Sequence, residues 1–257
     1  MKFESRKDVQ ALDYPDFVAL LGQENTPPGG EDTVRWWIDK ASIDEHSHLL
    51  DLACSTGFSS RYIAHHLGCS GVGIDLSSSA IERARQVRGE LRLDFQVADA
   101  TDLPLADETF THVVAGGTFA FFDASEAALD EVARVLEPGG KLCVSNFFYR
   151  SSPPDELLDT VEQYIDFRPR AHWTEQWWRE YFTSRFELCE SQTHSLEPVS
   201  IPAVVFATRR MLDESSFYAD ARPELQQQCF DRMRDTRIVL NEHRRYQGLA
   251  LEIWELK

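Results

Sequence analysis

His48-Leu-Leu-Asp51-Leu-Ala53-Cys-Ser55-Thr-Gly57 is the stretch on which the fold turns. An apolar run ends in a carboxylate, a string of small residues follows, and a helical pattern opens near Phe58. This reads as a strand, a tight turn and a helix N-terminus, which sets backbone N–H groups and the positive end of a helix dipole against a ligand. Small side chains at the turn let that ligand approach the main chain closely.

Downstream the pattern alternates. Strand 48–53 and helix 58–67 are followed by strand 71–75, helix 79–88 and strand 92–98, with Ser79 and Glu82 at capping-box spacing. Strand 111–115 comes next, then a helix opened by Asp123 and Glu126 and stopped by Pro138-Gly-Gly140, then strand 141–147. Near-continuous apolar strands joined by amphipathic helices predict a parallel sheet with helices on both faces. Upstream, Val9, Leu12, Phe17, Leu20 and Leu21 have a loosely helical spacing interrupted at Pro15. A loop over 22–30 containing Pro27-Pro-Gly-Gly30 leads into a helix from Glu31 to about Lys40. Residues 1–45 therefore read as an N-terminal helical arm or lid and 46–150 as the core. Residues 151–257 read as the C-terminal part of the same domain: helices over about 155–166 and 174–183, strand 185–196, a helical cap insertion over about 200–247, and a last strand over 249–256.

Composition limits the function classes. At 257 residues the chain suits one α/β domain with insertions, or two small domains. Its formal net charge of −17 opposes a phosphate-binding surface, so nucleic acid is not an expected partner. No apolar run approaches the ~20 residues of a membrane span, and the N-terminal residues lack the apolar segment of a secretory signal, so a cytoplasmic protein with no membrane partner is expected. The five cysteines are scattered without a C-x-x-C pair, which points to reduced thiols. No His/Cys/Asp/Glu set has metal-ligand spacing, so no metal is expected.

Acidic residues then recur at strand ends. Asp75 closes the second strand, 24 positions after Asp51, near the ~20-residue offset at which a carboxylate meets a ribose diol. Asp99 closes the third. Ligands of open α/β sheets bind outside the carboxyl ends of the strands, where all three fall. The G-x-G-x-x-G fingerprint of dinucleotide folds is absent after the first strand, and no P-loop exists, since Gly140-Lys141 is followed by Leu142.

Leu50–Gly57, Gly73-Ile-Asp-Leu-Ser77, Val97-Ala-Asp-Ala100, Leu103-Pro-Leu, Phe110 and Arg134-Val-Leu-Glu-Pro-Gly-Gly140 together resemble the class I S-adenosylmethionine-dependent methyltransferases. Within that family the chain is most similar to the small-molecule branch of the ubiquinone/menaquinone type, over about residues 48–147. The resemblance implies a Rossmann-like seven-stranded sheet in the order 3-2-1-4-5-7-6, the last strand antiparallel. It also implies a cytoplasmic transferase that binds S-adenosylmethionine and releases S-adenosylhomocysteine. By position, Asp51, Ala53, Ser55 and Gly57 would line the methionine end of the cofactor. Asp75 would take the ribose hydroxyls, Leu76 the adenine face, and Asp99 the adenine amino group, with Ala100 beside it. Main chain at Ala115 and Gly116 would face the sulfonium. One departure stands out: the family's Gly-x-Gly-x-Gly is Ala53-x-Ser55-x-Gly57 here, and Ala and Ser disfavour the positive φ that glycine adopts.

The function expected is in-line transfer of a methyl group to a small organic acceptor. Thr118, Phe119, Phe122, Phe148, Trp173 and Trp177 are the candidates for the acceptor pocket, apolar and aromatic as such pockets are. No residue declares itself a general base, and Tyr14, Tyr149 and His172 are the candidates by position. Two alternatives remain open: a protein that binds S-adenosylmethionine or S-adenosylhomocysteine without catalysis, and a methyltransferase acting on a protein side chain.

Overall fold

Alternating apolar segments place the first strands side by side. In a computed structural model, which describes residues 9–122 and 125–257, β1 (His48–Leu52) pairs in parallel with β2 (Ser70–Asp75), and β2 with β3 (Leu93–Val97). On its other side β1 pairs in parallel with β4 (Phe110–Gly116), which pairs with β5 (Leu136–Tyr149). With β6 (Phe186–Ser195) and β7 (Gln247–Leu256), they form one seven-stranded sheet in the order β3-β2-β1-β4-β5-β7-β6. Lys257 N donates to Arg185 O at one end of the β6–β7 pair and Leu196 N to Gln247 O at the other, so β7 runs antiparallel to β6. The strand order is the one the family resemblance implies.

Some local expectations needed correction. β5 begins at Leu136, not at 141: Phe110 pairs with Leu136 and His112 with Lys141, so Pro138-Gly-Gly140 bulges out of the strand without ending it. The helix before it is α5 (Ser125–Val135); Asp123, expected to open it, lies outside the described residues. The cap of α4 (Ser78–Val87) is Ser77, whose hydroxyl accepts Ala80 N, and not Ser79. Pro15 sits in the first turn of α1 (Tyr14–Leu20) behind an Asp13 cap, where its missing N–H costs nothing, so it starts this helix instead of interrupting one.

The chain divides into two compact units. The sheet unit comprises residues 25–148, 173–194 and 249–257. One face of its sheet is covered by α2 (Glu31–Ala41), α3 (Phe58–Leu67) and α4, whose Val34, Trp37, Ile63, Ile81 and Ala84 pack on Leu49, Phe95, Val114 and Ile253. Trp254, one residue on from Ile253 and therefore on the opposite face, meets Phe182 of α7 (Glu175–Thr183) at 5.5 Å between ring centroids. Tyr181 and Arg185 tie α7 and its exit to α5 through Ser125 O and Asp130.

The helical unit takes the described residues up to Glu24, then 149–172 and 195–248. It contains α1, α6 (Asp155–Ile165), α8 (Ile201–Asp213), the short α9 (Ser216–Asp220) and the 21-residue α10 (Pro223–His243). Phe17, Leu21, Leu212, Cys229, Phe230 and Met233 form its core.

Candidate functional site

The turn after β1 keeps a glycine-like backbone without the glycines. Ala53 has φ 52°, Ser55 φ 50° and Gly57 φ 76°, so three alternate residues are left-handed. Each non-glycine residue there costs ~1–2 kcal/mol, which the surrounding contacts must offset. Cys54 N donates to Ile74 O at 2.8 Å, Ser55 N to an Asp75 carboxylate oxygen at 2.8 Å, and Gly57 N to Cys54 O at 2.7 Å. The Phe95 ring closes the turn from below: a Cβ on Gly57 would lie 2.5 Å from it, and one on Gly73 2.6 Å. Phe95 was not singled out from the sequence, where it is one apolar strand residue among many.

A substitution test follows from these angles. Ala53→Gly and Ser55→Gly relieve left-handed strain but add unfolded-state entropy, so each is expected to leave stability within ~1 kcal/mol of the parent. Ala53→Val puts β-branching at the same φ and should cost ~2 kcal/mol or more. Thermal melts of the three variants check this; a Gly variant far less stable than the Val one would contradict the strained turn.

Two of the three strand-end carboxylates, Asp51 and Asp75, flank that turn, and Asp99 follows the end of β3. Asp51 is buried at the end of β1, and one of its oxygens accepts Ser60 N at 3.0 Å and Ser60 Oγ at 2.6 Å, pinning β1 to the first turns of α3. Burial pushes its pKa up to about 6 against the pull of those Ser60 hydrogen bonds, and the Asp75 charge adds to the rise. Asp75 accepts Ser55 N on one oxygen and Ser77 N on the other, both at 2.8 Å, which fixes the carboxylate and leaves lone pairs on each oxygen. Ala98 N donates to Asp75 O, bringing Asp99 beside the end of β2. One Asp99 oxygen accepts both Thr101 N and Thr101 Oγ1, which holds its pKa below the ordinary carboxylate value.

Apolar groups edge the same rim. Leu76 is 69% exposed and Val97 50%, unusual for large aliphatic residues beside a buried sheet. Ala100 and Ala115 are buried. Pro27 seats on Gly116, where a Cβ would come within 2.4 Å of it, and Pro28 packs on Gly117. The Pro-Pro-Gly-Gly loop thus lies on the carboxyl end of β4. Among the described residues of this unit, three buried polar atoms have no protein partner: Thr56 Oγ1 on the turn, and Ser145 Oγ and Asn146 Oδ1 on β5. Ser145 is paired in register with Gly116.

Of the residues expected to line the acceptor pocket, Phe119, Phe122, Trp173 and Trp177 form an aromatic cluster within the sheet unit, joined through Tyr181. Thr118 Oγ1 donates to Leu52 O at 3.1 Å, tying the turn after β4 to the end of β1. Phe119 meets Phe122, Tyr181 and Phe182 at 5.2–5.8 Å, largely edge to face. Trp177 stacks on Tyr181 at 5.7 Å, with Trp173 tilted against it. Trp178 Nε1 donates to Phe147 O, and Phe148 is buried at the same strand end.

The three candidate bases all belong to the helical unit. His172 is exposed. Tyr14 is half-buried, and its main-chain N donates to an Asp166 oxygen. Tyr149 is buried, its hydroxyl 2.7 Å from His243 Nε2. Burial lowers the His243 pKa to about 4 and raises that of Tyr149, so both stay neutral near pH 7. His243 lies 94 residues from Tyr149 and carries no local sequence signal.

Among the described residues no group of three or more His, Cys, Asp and Glu side chains could hold a metal ion, and no helix is long and apolar enough to cross a membrane.

Comparison with known proteins matches residues 50–144 to the family described as a methyltransferase domain. The crystal structure of MccD protein is similar over 91% of this chain and 100% of that one, with 40% identity and a TM-score of 0.79. An O-methyltransferase, resE, from Aspergillus sclerotiorum is 37% identical over 51% of this chain and 52% of its own length. A demethylmenaquinone methyltransferase from Clavibacter sepedonicus is 38% identical over 43% of this chain and 44% of its own. The chain spans about half the length of these two curated relatives.

Proposed function

Because the chain belongs to the class I S-adenosylmethionine-dependent methyltransferases, we propose that it transfers the cofactor's methyl group to a small organic acceptor. The observation that carries this reading is the convergence of Asp51 and Asp75 on the left-handed turn at 53–57. The residues fit the cofactor. Asp75 would hold the ribose diol on its remaining lone pairs, the exposed Leu76 would cover the adenine face, and Asp99 would take the adenine amino group on the oxygen that Thr101 leaves. The turn's main chain and Asp51 would meet the amino-acid end, where a buried carboxylate suits an ammonium.

S-adenosylmethionine supplies an electrophilic methyl group on a positively charged sulfur. The chain's own work is positioning and exclusion of water. Pro27 and Pro28 cover Gly116 and Gly117 at the end of β4, and the ring cluster from Phe119 to Trp177 supplies an apolar wall in the same unit. Two relatives named as an O-methyltransferase and a demethylmenaquinone methyltransferase support a small acceptor. The non-catalytic alternative drew on Ala53 and Ser55, and both keep the left-handed conformation that glycine would have.

The test is turnover: incubation with S-adenosylmethionine and a panel of hydroxyl-, amino- and carboxyl-bearing small molecules, with S-adenosylhomocysteine read by mass spectrometry. Acceptor-dependent release supports the reading. Cofactor binding without release for any panel member, or release only with proteins, contradicts it.

Asp51 adds a pH dependence of known sign. Its folded pKa, about 6, lies above the unfolded value, so its stabilising contribution is complete below pH ~4 and lost as pH rises through 6. Binding a cation beside it runs the other way, since only the carboxylate attracts the ligand. Affinity for S-adenosylmethionine is expected to rise between pH 5 and 7 with release of about one proton, and to lose this slope in Asp51→Asn. Calorimetry in buffers of different ionisation enthalpy measures that proton; an identical slope in the variant would exclude Asp51 as its source.

A further inference from the structure

Two buried asparagines of this chain are held in opposite ways. Asn241, in the helical unit, accepts Val199 N at 2.9 Å on Oδ1 and donates from Nδ2 to Val199 O at 3.0 Å, so its amide serves the main chain. Asn146, on β5 in the sheet unit, is only 2% exposed, yet its Oδ1 has no partner among the described residues. An amide oxygen shut away from water without a hydrogen bond costs ~1–3 kcal/mol. Such an atom in a folded chain calls for an occupant that completes it.

The neighbourhood narrows what that occupant is. Cys143 packs into the α2–α4 face of the sheet, so Asn146, three residues along the same strand, lies on the opposite face. Trp254 of β7, the strand next to β5, stands on that opposite face and meets Phe182. Phe182 in turn packs on Phe119 at 5.2 Å and on Trp178 at 6.0 Å between ring centroids. Trp178 reaches β5 itself, its Nε1 donating to Phe147 O at 3.1 Å, one residue from Asn146. On the other side of Asn146 is Ser145, in register with Gly116 at the carboxyl end of β4.

The polar groups of this wall are already engaged. Trp254 Nε1 donates to Glu252, the Tyr181 hydroxyl to Ser125 O, and Glu252 is itself held by Arg179 at 3.2 Å. A buried water needs roughly two to four polar partners, and these rings supply none beyond the amide. A ligand that brings its own apolar body meets the wall better. The amide is uncharged, so the group it receives is a neutral O–H or N–H; an ion there would stay uncompensated.

We propose that Asn146 sets acceptor specificity: its amide oxygen takes the O–H or N–H of a neutral, ring-bearing acceptor that lies on the Phe119–Trp178 wall. Asn146 is a positioning residue, which orients the ring at the end of β4 and β5. Assigning the bound molecule to methyl transfer rests on the reading above; recognition of a neutral donor by Asn146 does not.

The test uses phenol and toluene, isosteric rings with and without the O–H, titrated into the full chain by saturation-transfer NMR with and without S-adenosylhomocysteine. The parent is expected to hold phenol about 10-fold more tightly than toluene, as one buried hydrogen bond allows. Asn146→Leu should bind the two equally, while Asn146→Asp, which keeps an acceptor oxygen, retains part of the preference. Melting temperature separates recognition from a structural role: Asn146→Leu removes an unpaired buried atom and should melt no lower than the parent. Equal binding of phenol and toluene by the parent, or an undiminished preference in Asn146→Leu, overturns the proposal. So does a lower melting temperature with the preference intact. If Asn146→Leu fails to fold, Asn146→Ala decides by the same criterion. Failure of the parent to bind S-adenosylhomocysteine or S-adenosylmethionine would count against the methyltransferase reading and leave the phenol preference to be judged on its own.

Discussion

Asp75→Ala is expected to weaken S-adenosylmethionine binding about 100-fold, ~2.7 kcal/mol. Two losses combine. The ribose loses charge-assisted hydrogen bonds, each contributing ~1.5–3 kcal/mol when made to a carboxylate. The turn loses its anchor as well: Ser55 N donates to this carboxylate, and Ser55 is left-handed without being glycine, so a freed amide lets the strained segment relax away from its bound shape. Asp75→Asn keeps one acceptor oxygen and should recover part of the loss. Titration calorimetry on the parent and both variants measures it, and an alanine variant with parental affinity would place the ribose elsewhere.

Gly57→Ala should do more damage to the fold. Gly57 stands at φ 76°, where an added methyl costs ~1–2 kcal/mol, and that methyl would sit 2.5 Å from Phe95 Cε1, inside the ring's van der Waals surface. Phe95 is fully buried and packed against the α2–α4 face, so it has no room to withdraw. The sum is ~3–4 kcal/mol, a fall in melting temperature of roughly 10 °C for a chain of this size. The cause can be isolated: in a Phe95→Leu background the same substitution should cost clearly less, because the atoms it strikes are gone. Equal cost in both backgrounds would put the penalty in the backbone angle alone.

The sheet and its carboxylate rim were legible because their signals are local. A strand ends where an acid and a small-residue turn follow it, and Asp51, Asp75 and Asp99 stand at or just past the ends of β1, β2 and β3. What the turn itself does was not legible, since nothing in Ala53 or Ser55 announces a positive φ; the anchoring comes from Asp75, twenty residues from Ser55, and from Phe95 beneath. Long-range pairs escaped for the same reason. Tyr149 was a candidate in the sequence, but its partner His243 becomes its neighbour only when the segment between them folds. The same holds for Pro27 on Gly116, where a loop rich in proline and glycine gives its composition but not its resting place. The N-terminal arm also divides in a way no composition shift marks: α1 joins the helical unit while α2 joins the sheet unit. α1 is fastened by Arg232, more than two hundred positions away, which holds the main chain at Val9 and Leu12.

The most direct measurement is a crystal structure of the chain with S-adenosylhomocysteine. The account requires the ribose hydroxyls on the Asp75 carboxylate, the adenine against Leu76 with its amino group at Asp99, and the amino-acid end over the turn at 53–57. A nucleoside bound away from the tips of β1, β2 and β3, or one bound there without touching Asp75, would contradict it.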